Sequence, residues 1–360
     1  MVFRGEKITV SVFGQSHAEA IGAVMDGFPA GFQIDREALA GLMARRAPGQ
    51  GAHTTPRKEK DRVEIVSGLV GDITCGAPLC MMIRNGDVRS GDYAQLRDVP
   101  RPSHADWPAG IRYGAAHDVR GGGMFSGRMT APLCAAGGLA LQWLRGRGVE
   151  VLAHIASVGP VMDEAFDPVN VGPEEDRRRM AGRALPVLRD GAAEEMLAEI
   201  LRAGEAEDSV GGMVECCAVG LPAGLGGPLF EGVESRLAPA LFAIPAVKGV
   251  EFGSGFAAAG MLGSEHNDPY EVRDGQVRPV TNHAGGICGG LTTGMPLILR
   301  IALKPTPSIG LEQRSVSLSR MENTTLRIRG RHDPCVVPRA VPVAEAVTAL
   351  VLMDLMLAQG

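Results

Sequence analysis

The sequence predicts an α+β fold with antiparallel strand pairs, and three observations support this. Stretches with strand-like alternation and stretches with helical spacing follow one another in a mixed order, not in regular β-α-β alternation. No G-x-G-x-x-G motif follows a predicted strand, which disfavours a dinucleotide-binding fold. Gly and Pro are spread through short turns, and no Pro/Ser-rich linker or charge run divides the 360 residues. We therefore predict a single domain over residues 1–360.

Local patterns give the predicted elements in chain order. Asp35 is a candidate N-cap, and Leu39 and Met43 follow at helical spacing, which predicts a helix over residues 35–46. Residues 121–123 form a glycine turn that leads the next predicted helix. The other predicted helices are 130–144, 232–242 and 342–357, with an exposed helical region over 174–201, and the predicted strands are 8–13, 63–66, 78–83, 149–157, 212–219, 248–252, 297–303 and 325–328.

Charge and hydropathy exclude several function classes. A formal charge of −5 argues against a nucleic-acid-binding protein, which needs a dominant basic face. Residues 1–7 lack the apolar stretch of a signal peptide. The most apolar stretch, 341–357, carries Glu345 and Asp354 and is shorter than the ~20 residues of a membrane span, so it is predicted to be a core helix. We expect a soluble, cytoplasmic protein without a membrane partner.

The seven cysteines are an odd number, and none forms a C-x-x-C pair. Several lie in apolar runs, so we predict buried, reduced thiols in a cytosolic protein. Cys335 is interpreted as a small residue that fills a turn and not as a nucleophile. No cluster of His, Cys and carboxylate residues has metal-ligand spacing, so no metal site is predicted.

Three polar segments, each with a histidine, lie in Gly- and Pro-rich turns of this otherwise apolar chain. Side chains on adjacent residues point in different directions and rarely satisfy one another, so such runs are unusual in a purely structural role. The pattern predicts an active site assembled from distant loops. The segments are Gly14-Gln15-Ser16-His17, Arg101-Pro102-Ser103-His104-Ala105-Asp106 and Gly330-Arg331-His332-Asp333-Pro334-Cys335.

Together with other motifs, these segments resemble the chorismate synthase family over nearly the whole chain. The resemblance implies a specific α+β architecture, with helices layered between antiparallel β-sheets in a pseudo-symmetric β-α-β sandwich, assembled as a homotetramer. Further matching motifs occur in the family's order: residues 24–31, 45–50, 54–61, 84–87, 120–130, 246–253, 282–286, 304–308 and 344–346.

The family's reaction is a 1,4-anti elimination of phosphate from 5-enolpyruvylshikimate 3-phosphate, which gives chorismate and requires reduced FMN. The resemblance assigns His17 to protonating the leaving phosphate and His104 to the flavin N1 side. It assigns Asp333 to activating the flavin N5 as the proton acceptor. Histidine suits the first two roles because its pKa lies near neutrality. A carboxylate suits the third if burial raises its basicity.

The substrate carries two carboxylates and a phosphate, so its site requires several guanidinium groups. The resemblance implies that substrate is bound by Arg45, Arg46, Arg101, Arg128 and Arg331. It implies that the flavin is bound by Arg46, Met124, Phe125, Ser126, Pro245, Ala246, Gly289, Lys304, Pro305, Thr306, Pro307, Ser308 and Arg331. The sequence leaves open whether the protein reduces its own FMN with a nicotinamide nucleotide such as NADPH or depends on an external flavin reductase.

The chain departs from the family at several positions, including Gln15 and Ala18. Met124 and Phe125 stand where a cation or small polar group is usual, and Ala52 replaces an arginine. Each missing charged hydrogen bond weakens flavin binding by about 1–3 kcal/mol. The alternative is therefore a non-catalytic homologue that binds flavin or shikimate-type ligands.

The remaining histidines are given lesser roles. His332 is a structural or orienting partner of its neighbour Asp333, and His283 is open to lining the flavin pocket. The others, among them His117 and His154, are interpreted as satisfied turn histidines.

Overall fold

Two five-stranded antiparallel sheets pack on either side of a helical layer, in a computed structural model that describes residues 1–49, 61–86, 95–328 and 333–359. The helices are α1 (Arg36–Arg46), α2 (Asp106–Tyr113), α3 (Thr130–Arg145), α4 (Pro173–Met180), α5 (Ala192–Glu205), α6 (Val233–Phe242), α7 (Gly263–His266) and α8 (Val337–Gln359). The strands are β1 (Val2–Arg4), β2 (Thr9–Gly14), β3 (Ala20–Asp26), β4 (Glu64–Ser67), β5 (Leu69–Val70), β6 (Ile73–Thr74), β7 (Leu79–Arg84), β8 (Glu150–Val158), β9 (Val161–Met162), β10 (Gly212–Val219), β11 (Val247–Phe252), β12 (Tyr270–Arg273), β13 (Gln276–Pro279), β14 (Ile287–Cys288), β15 (Leu291–Thr292), β16 (Leu297–Leu303), β17 (Gln313–Ser317) and β18 (Glu322–Leu326).

The first sheet has the strand order β1-β2-β3-β7-β4. Its central strand β3 was not predicted, because a glycine interrupts the alternation at Gly22. A Cβ at Gly22 would lie 2.3 Å from Cζ of Phe13 on the paired strand β2, so glycine is required where the phenyl ring crosses. The hairpin of β2 and β3 places the loop that carries His17 at one end of this sheet.

The second sheet has the order β11-β16-β10-β8-β9 and carries a row of charged residues across four strands. Glu215 on β10 is the cross-strand partner of His154 on β8 and of Arg300 on β16. Arg300 in turn pairs with Glu251 on β11. Because side chains alternate between the faces of a strand, the row occupies a single face.

The helical layer joins the two sheets: α3 packs on the first sheet, α8 packs on the second, and the two helices contact each other. A Cβ at Gly137 of α3 would lie 2.3 Å from the carbonyl oxygen of Ala346 in α8, so the helices approach closely. α8 is long and apolar enough to cross a membrane, but 89% of its most apolar window is buried in the protein. It is a core helix, as predicted.

The two acidic residues of α8 are both buried and both paired. Glu345 accepts hydrogen bonds from Arg45 and from the backbone N–H of Ala153. Asp354 accepts from the backbone N–H groups of residues 6–8 and from Arg236. Each carboxylate therefore ties the helix to a neighbouring part of the chain.

The α+β class is confirmed, with helices between antiparallel sheets as the resemblance implied, but some element predictions were wrong. Residues 174–201 form two helices, α4 and α5, and not one exposed helical region. The segment between them is irregular and buries Val187, and α5 buries Met196 and Ile200. The many charged residues of this segment suggested that it is exposed, because they obscured the apolar side chains that form the buried face of α5. β18 spans Glu322–Leu326, where a strand at 325–328 was predicted.

The seven cysteines are free thiols, but they are not all buried. Cys75 and Cys288 are exposed, whereas Cys134, Cys216, Cys217 and Cys335 are buried. Burial raises the pKa of the Cys335 thiol to about 12, so it is protonated at neutral pH, as its interpretation as a turn-filling residue requires.

Candidate active site

The first polar segment follows β2 and lies against a turn of three glycines. Gly121, Gly122 and Gly123 have φ of 56°, 83° and 54°. A Cβ at Gly121 would lie 2.4 Å from Cε1 of His17, and a Cβ at Gly122 would lie 3.2 Å from Nε2 of His104. The turn must therefore be glycine both for its backbone conformation and for the close approach of two histidines.

His104 belongs to a tightly bonded group in the second polar segment. Arg101 donates to both carboxylate oxygens of Asp106, from Nε at 2.7 Å and from Nη2 at 2.8 Å. Nδ1 of His104 lies 2.7 Å from Asp106 Oδ1, so the carboxylate holds a proton on Nδ1. Burial works against ionisation of Asp106, but its bonds to Arg101 and His104 hold its pKa well below the usual range.

Arg101 also links this group to the segment that follows β16. Its Nη1 donates to the hydroxyl oxygen of Ser308 at 3.1 Å. In the same segment the Thr306 hydroxyl donates to the backbone oxygen of Asp333 at 2.9 Å. The segment 304–308, predicted to bind flavin, thus joins His104 to Asp333.

Asp333 is a partly buried carboxylate, with its side chain 13% exposed, and one of its two oxygens has a hydrogen-bond partner in the described part of the chain. Arg339 Nη1 donates to Oδ2 at 2.8 Å, whereas Oδ1 has no hydrogen-bond partner within the described residues. Burial raises the pKa of Asp333 although the Arg339 guanidinium acts in the opposite direction. Arg339 Nε also donates to the backbone oxygen of Arg46 at 3.2 Å.

Arg46 and Arg128 share one buried carboxylate, that of Asp61. Arg46 Nη1 donates to Oδ2 at 2.6 Å, and Arg128 Nη1 donates to Oδ1. Arg46 is held further by the Thr130 hydroxyl at 3.1 Å and by the backbone oxygen of Gly127 at 3.1 Å. The end of α1 is thereby fixed to the start of α3.

Asn85 connects this pair to the loop of His17. Arg128 Nε donates to Asn85 Oδ1 at 3.1 Å. The amide nitrogen of Asn85 then donates to the backbone oxygens of Gln15, at 3.3 Å, and Ala18, at 2.8 Å. These two residues flank the Ser16–His17 pair.

These contacts close into a ring, which we call the site ring. It brings together two predicted catalytic histidines, the predicted catalytic aspartate and three of the predicted arginines, from segments more than 300 residues apart in the chain. Its members in order are His17, Gly121, Gly122, His104, Asp106, Arg101, Ser308, Thr306, Asp333, Arg339, Arg46, Asp61, Arg128 and Asn85, and Asn85 closes it through the backbone of Gln15 and Ala18 on either side of His17.

The other predicted flavin residues have several different positions. Phe125, between Met124 and Ser126, is partly exposed and lies with its ring 6.3 Å from that of Tyr113. Lys304 donates its backbone N–H to Ala246, next to Pro245, and burial and the nearby Lys248 lower the pKa of its ammonium group. Pro305 and Pro307 flank Thr306 in the ring segment. Gly289 lies in the turn between β14 and β15, which packs against the start of α6.

Arg45 lies apart from the site ring. Its two terminal nitrogens bind Glu345 at 2.7 and 2.8 Å, and its side chain lines a cavity of about 130 Å³ together with Gln142, Arg145 and Arg177. Adjacent residues on a helix point about 100° apart, and here Arg45 and Arg46 bind different carboxylates, Glu345 and Asp61. The structure thus separates two arginines that the sequence had grouped.

Two histidines that were interpreted as satisfied turn residues differ from that expectation. His117 is buried, packs against the ring of Phe125, and carries an Nε2 without a hydrogen-bond partner in the part of the chain that the structure describes. Burial lowers its pKa, so it is neutral at pH 7. His154 lies in strand β8, not in a turn, between two carboxylates.

The residues that join the predicted site residues were not themselves predicted. Asp61, Asn85 and Asp106 stood inside motifs that were already noted, so their polarity in those motifs was the available signal. Arg339, within the first turn of α8, had no such signal. Arg331 and His332, predicted for the same site, lie outside the described residues, as do Ala52 and His53.

Comparison with known proteins adds independent evidence. The family model for chorismate synthase matches residues 8–357. A chorismate synthase of Dehalococcoides mccartyi strain BAV1 is 45% identical over 357 residues, covering 99% of this chain and 96% of the relative. One from Thermococcus kodakarensis is 46% identical over 352 residues, covering 98% and 96%. A crystal structure of chorismate synthase matches with a TM-score of 0.77 at 27% identity, covering 99% of this chain and 93% of that one.

Proposed function

The chain belongs to the chorismate synthase family, and we propose that it eliminates phosphate from 5-enolpyruvylshikimate 3-phosphate to give chorismate, with reduced FMN as cofactor. The observation that carries this proposal is the site ring, which links His17 to His104 through the glycine turn and His104 to Asp333 through Asp106, Arg101 and the segment 304–308. The reaction breaks one C–H and one C–O bond and forms one double bond. It has no net oxidation or reduction, so it needs a proton donor, a proton acceptor and anion-binding groups.

The arginines of the site ring suit an anionic substrate. Arg101 and Arg128 lie on the ring from two different segments, and Arg331 is proposed to join them from outside the described residues. Guanidinium groups bind carboxylate and phosphate through paired hydrogen bonds. Arg45 differs from the other arginines of the proposed set, because it lies outside the site ring, where its guanidinium binds Glu345.

The described residues fit a flavin in three respects. The three-glycine turn allows close approach of a ligand to the backbone, Phe125 offers an aromatic surface, and Asp333 Oδ1 is a buried atom for which the described residues supply no hydrogen-bond donor. We propose that residues 124–126 and 304–308 hold the cofactor, together with Pro245, Ala246, Gly289, Arg46 and Arg331. When bound, reduced FMN supplies the electron density that assists loss of a non-acidic hydrogen.

The protein's own groups then handle the protons. His17, beside the glycine turn, is proposed to donate a proton to the leaving phosphate. His104, with Nδ1 held by Asp106, presents Nε2 towards the glycine turn, where it can stabilise negative charge on the cofactor. The raised pKa of Asp333 makes this carboxylate a stronger base than an exposed aspartate, which suits its proposed role of activating the flavin N5 as the proton acceptor.

We further propose a cytoplasmic homotetramer whose FMN is reduced either by the protein itself or by an external flavin reductase. Self-association is supported by large apolar side chains that a single chain leaves in solvent. Phe230 and Phe256 are 85% and 83% exposed, and Val272 on the β12–β13 hairpin is 74% exposed. Such side chains are typical of interfaces.

The test is an anaerobic assay with the enolpyruvyl substrate and oxidised FMN, reduced FMN or no flavin. We expect chorismate and inorganic phosphate only with reduced FMN, at many turnovers per flavin. Equal turnover in all three would contradict the flavin role. Binding of flavin or substrate without formation of chorismate would instead support the alternative, a non-catalytic homologue.

A second arm uses Asp333→Asn, which keeps size but removes the basic carboxylate. We expect substrate and flavin binding to survive, measured by calorimetry, while turnover falls by about 10²-fold or more. Near-normal turnover would remove Asp333 from the proposed mechanism.

A further inference from the structure

Asp61 occupies the centre of the cationic part of the site ring. Its side chain is 0% exposed, and each of its oxygens accepts from a different arginine, Arg46 and Arg128. Its backbone has a φ of 45°, which costs a non-glycine residue conformational energy. A buried carboxylate in a strained conformation persists only where the surrounding contacts hold it, which marks the position as specialised.

The two arginines differ in how they are held. Arg46 uses all three nitrogens of its guanidinium for the protein: Nε for Thr130, Nη1 for Asp61 and Nη2 for the backbone of Gly127. It is an anchor. Arg128 is oriented by Asp61 on one nitrogen and by Asn85 on another. Asp61 thus transmits the fixed position of Arg46 to Arg128.

The three groups together carry one net positive charge, from two guanidiniums and one carboxylate. Although burial works against ionisation, Arg46 and Arg128 keep the pKa of Asp61 below the usual range, so the carboxylate is charged at neutral pH. A negative charge next to the proposed substrate arginines weakens the long-range attraction for an anion. The Asp61 carboxylate must therefore favour binding in another way, and its hydrogen bonds to both arginines do so by fixing their positions.

We propose that Asp61 is a positioning residue that locks Arg128 against the anchored Arg46, so that Arg128 meets an oxyanion group of the substrate in one fixed orientation. This inference rests on the proposed function and adds a residue to it. A preorganised guanidinium loses less rotational freedom when it binds an anion, so affinity is gained although local positive charge is reduced.

One substitution distinguishes a positioning role of Asp61 from a purely electrostatic role, because the two roles predict opposite changes in the Kd for substrate. Asp61→Asn raises the local net charge from +1 to +2, so a purely electrostatic role predicts tighter anion binding. The amide of this variant, however, has an acceptor oxygen in place of only one of the two carboxylate oxygens, and it presents its NH₂ group to the arginine that bound the other oxygen. If Asp61 acts by positioning, the substrate binds more weakly in spite of the added positive charge.

The experiment measures the Kd of 5-enolpyruvylshikimate 3-phosphate and of inorganic phosphate by calorimetry, with kcat and KM under reduced FMN. For Asp61→Asn we expect a Kd for the substrate raised about 10-fold or more, with kcat reduced less than KM is raised. The matched control is Asp354→Asn, an equally buried carboxylate that binds Arg236 outside the site ring. It should leave the Kd for substrate unchanged.

Thr130→Val keeps the proposal testable if Asp61→Asn does not fold. It removes the hydroxyl that holds Arg46 Nε without changing any charge, and we expect the Kd for substrate to rise about 3-fold. An unchanged or lowered Kd in either folded variant would overturn the proposal, as would wild-type protein that binds neither anion. Wild-type protein that binds substrate but forms no chorismate overturns the proposed function alone, because the Kd comparison still decides the role of Asp61.

Discussion

The molecule contains two histidine–carboxylate clusters that differ in how many ring nitrogens of the histidine are bound to a carboxylate. In the site ring, His104 contacts Asp106 through Nδ1 alone, and its side chain is 14% exposed. In the second sheet, His154 is 0% exposed and contacts Asp163 at 2.9 Å and Glu215 at 3.0 Å, one through each ring nitrogen. In the described chain, Nε2 of His104 has no hydrogen bond, whereas both ring nitrogens of His154 are hydrogen-bonded.

The difference distinguishes a histidine suited to chemistry from one suited to structure. A neutral imidazole has one N–H, so two carboxylates at hydrogen-bond distance require His154 to be the doubly protonated cation. Its partners also bind the backbone of the covering segment, at Phe166 and Leu188. A cation enclosed in this way cannot exchange protons with a ligand, but it can hold a chain segment on a sheet.

The largest effect should come from breaking the structural cluster. His154→Gln removes a buried cation and leaves two carboxylates facing a neutral amide, which offers donors on its nitrogen but only an acceptor on its oxygen. We expect the free energy of unfolding to fall by about 3 kcal/mol at pH 6, measured by urea denaturation. Turnover of the folded variant should stay within about 3-fold of wild type.

The pH dependence of that loss supplies the control. Burial alone would lower the pKa of His154, but its bonds to Asp163 and Glu215 raise it. A raised folded-state pKa means that the stabilisation is complete below the ordinary histidine pKa and is lost as pH rises through the folded value. The difference between wild type and His154→Gln should therefore shrink in alkaline solution. A difference that grows with pH would show that His154 is neutral in the fold.

The second effect concerns the chemical cluster. His104→Ala should lower turnover by about 10²-fold, while the free energy of unfolding changes much less than in His154→Gln, because Asp106 keeps its two bonds from Arg101. Bound reduced flavin should also become anionic at a higher pH, followed by absorbance. An unchanged flavin titration would contradict the position proposed for His104.

Elements that depend on local periodicity could be predicted from sequence, whereas residues that depend on contacts between distant strands could not. Strands β10 and β16 and helices α1 and α6 follow local periodicity, and the structure confirms them to within a residue or two. Strand β3 was missed because Gly22 interrupts its alternating pattern. Glycine stands there because Phe13 on the neighbouring strand packs against it, and local patterns do not encode that contact. His154 was misplaced for a similar reason, since only the sheet register reveals Glu215 beside it.

In the candidate site, individual residues were easier to predict than the side-chain contacts that join them. His17, His104 and Asp333 were recognisable because polar runs in turns are unusual, and the site ring does bring them together. Asp61 and Arg339 escaped notice because their importance comes from bridging segments that are distant in sequence. Arg45 was grouped with Arg46 because they are adjacent, although helical geometry directs them to different partners.

The smallest effect tests that separation of Arg45 from the site ring. Its side chain is 46% exposed, and it binds Glu345, which also accepts from the Ala153 backbone. Arg45→Gln should therefore cost about 1 kcal/mol of unfolding free energy, since solvent screens half of the pair and the carboxylate keeps one partner. The Kd for substrate should stay within about 2-fold of wild type, in contrast to the loss expected for Asp61→Asn. A substrate Kd raised 10-fold in Arg45→Gln, with Asp354→Asn unaffected, would return Arg45 to the substrate site and require its side chain to leave Glu345 when substrate binds.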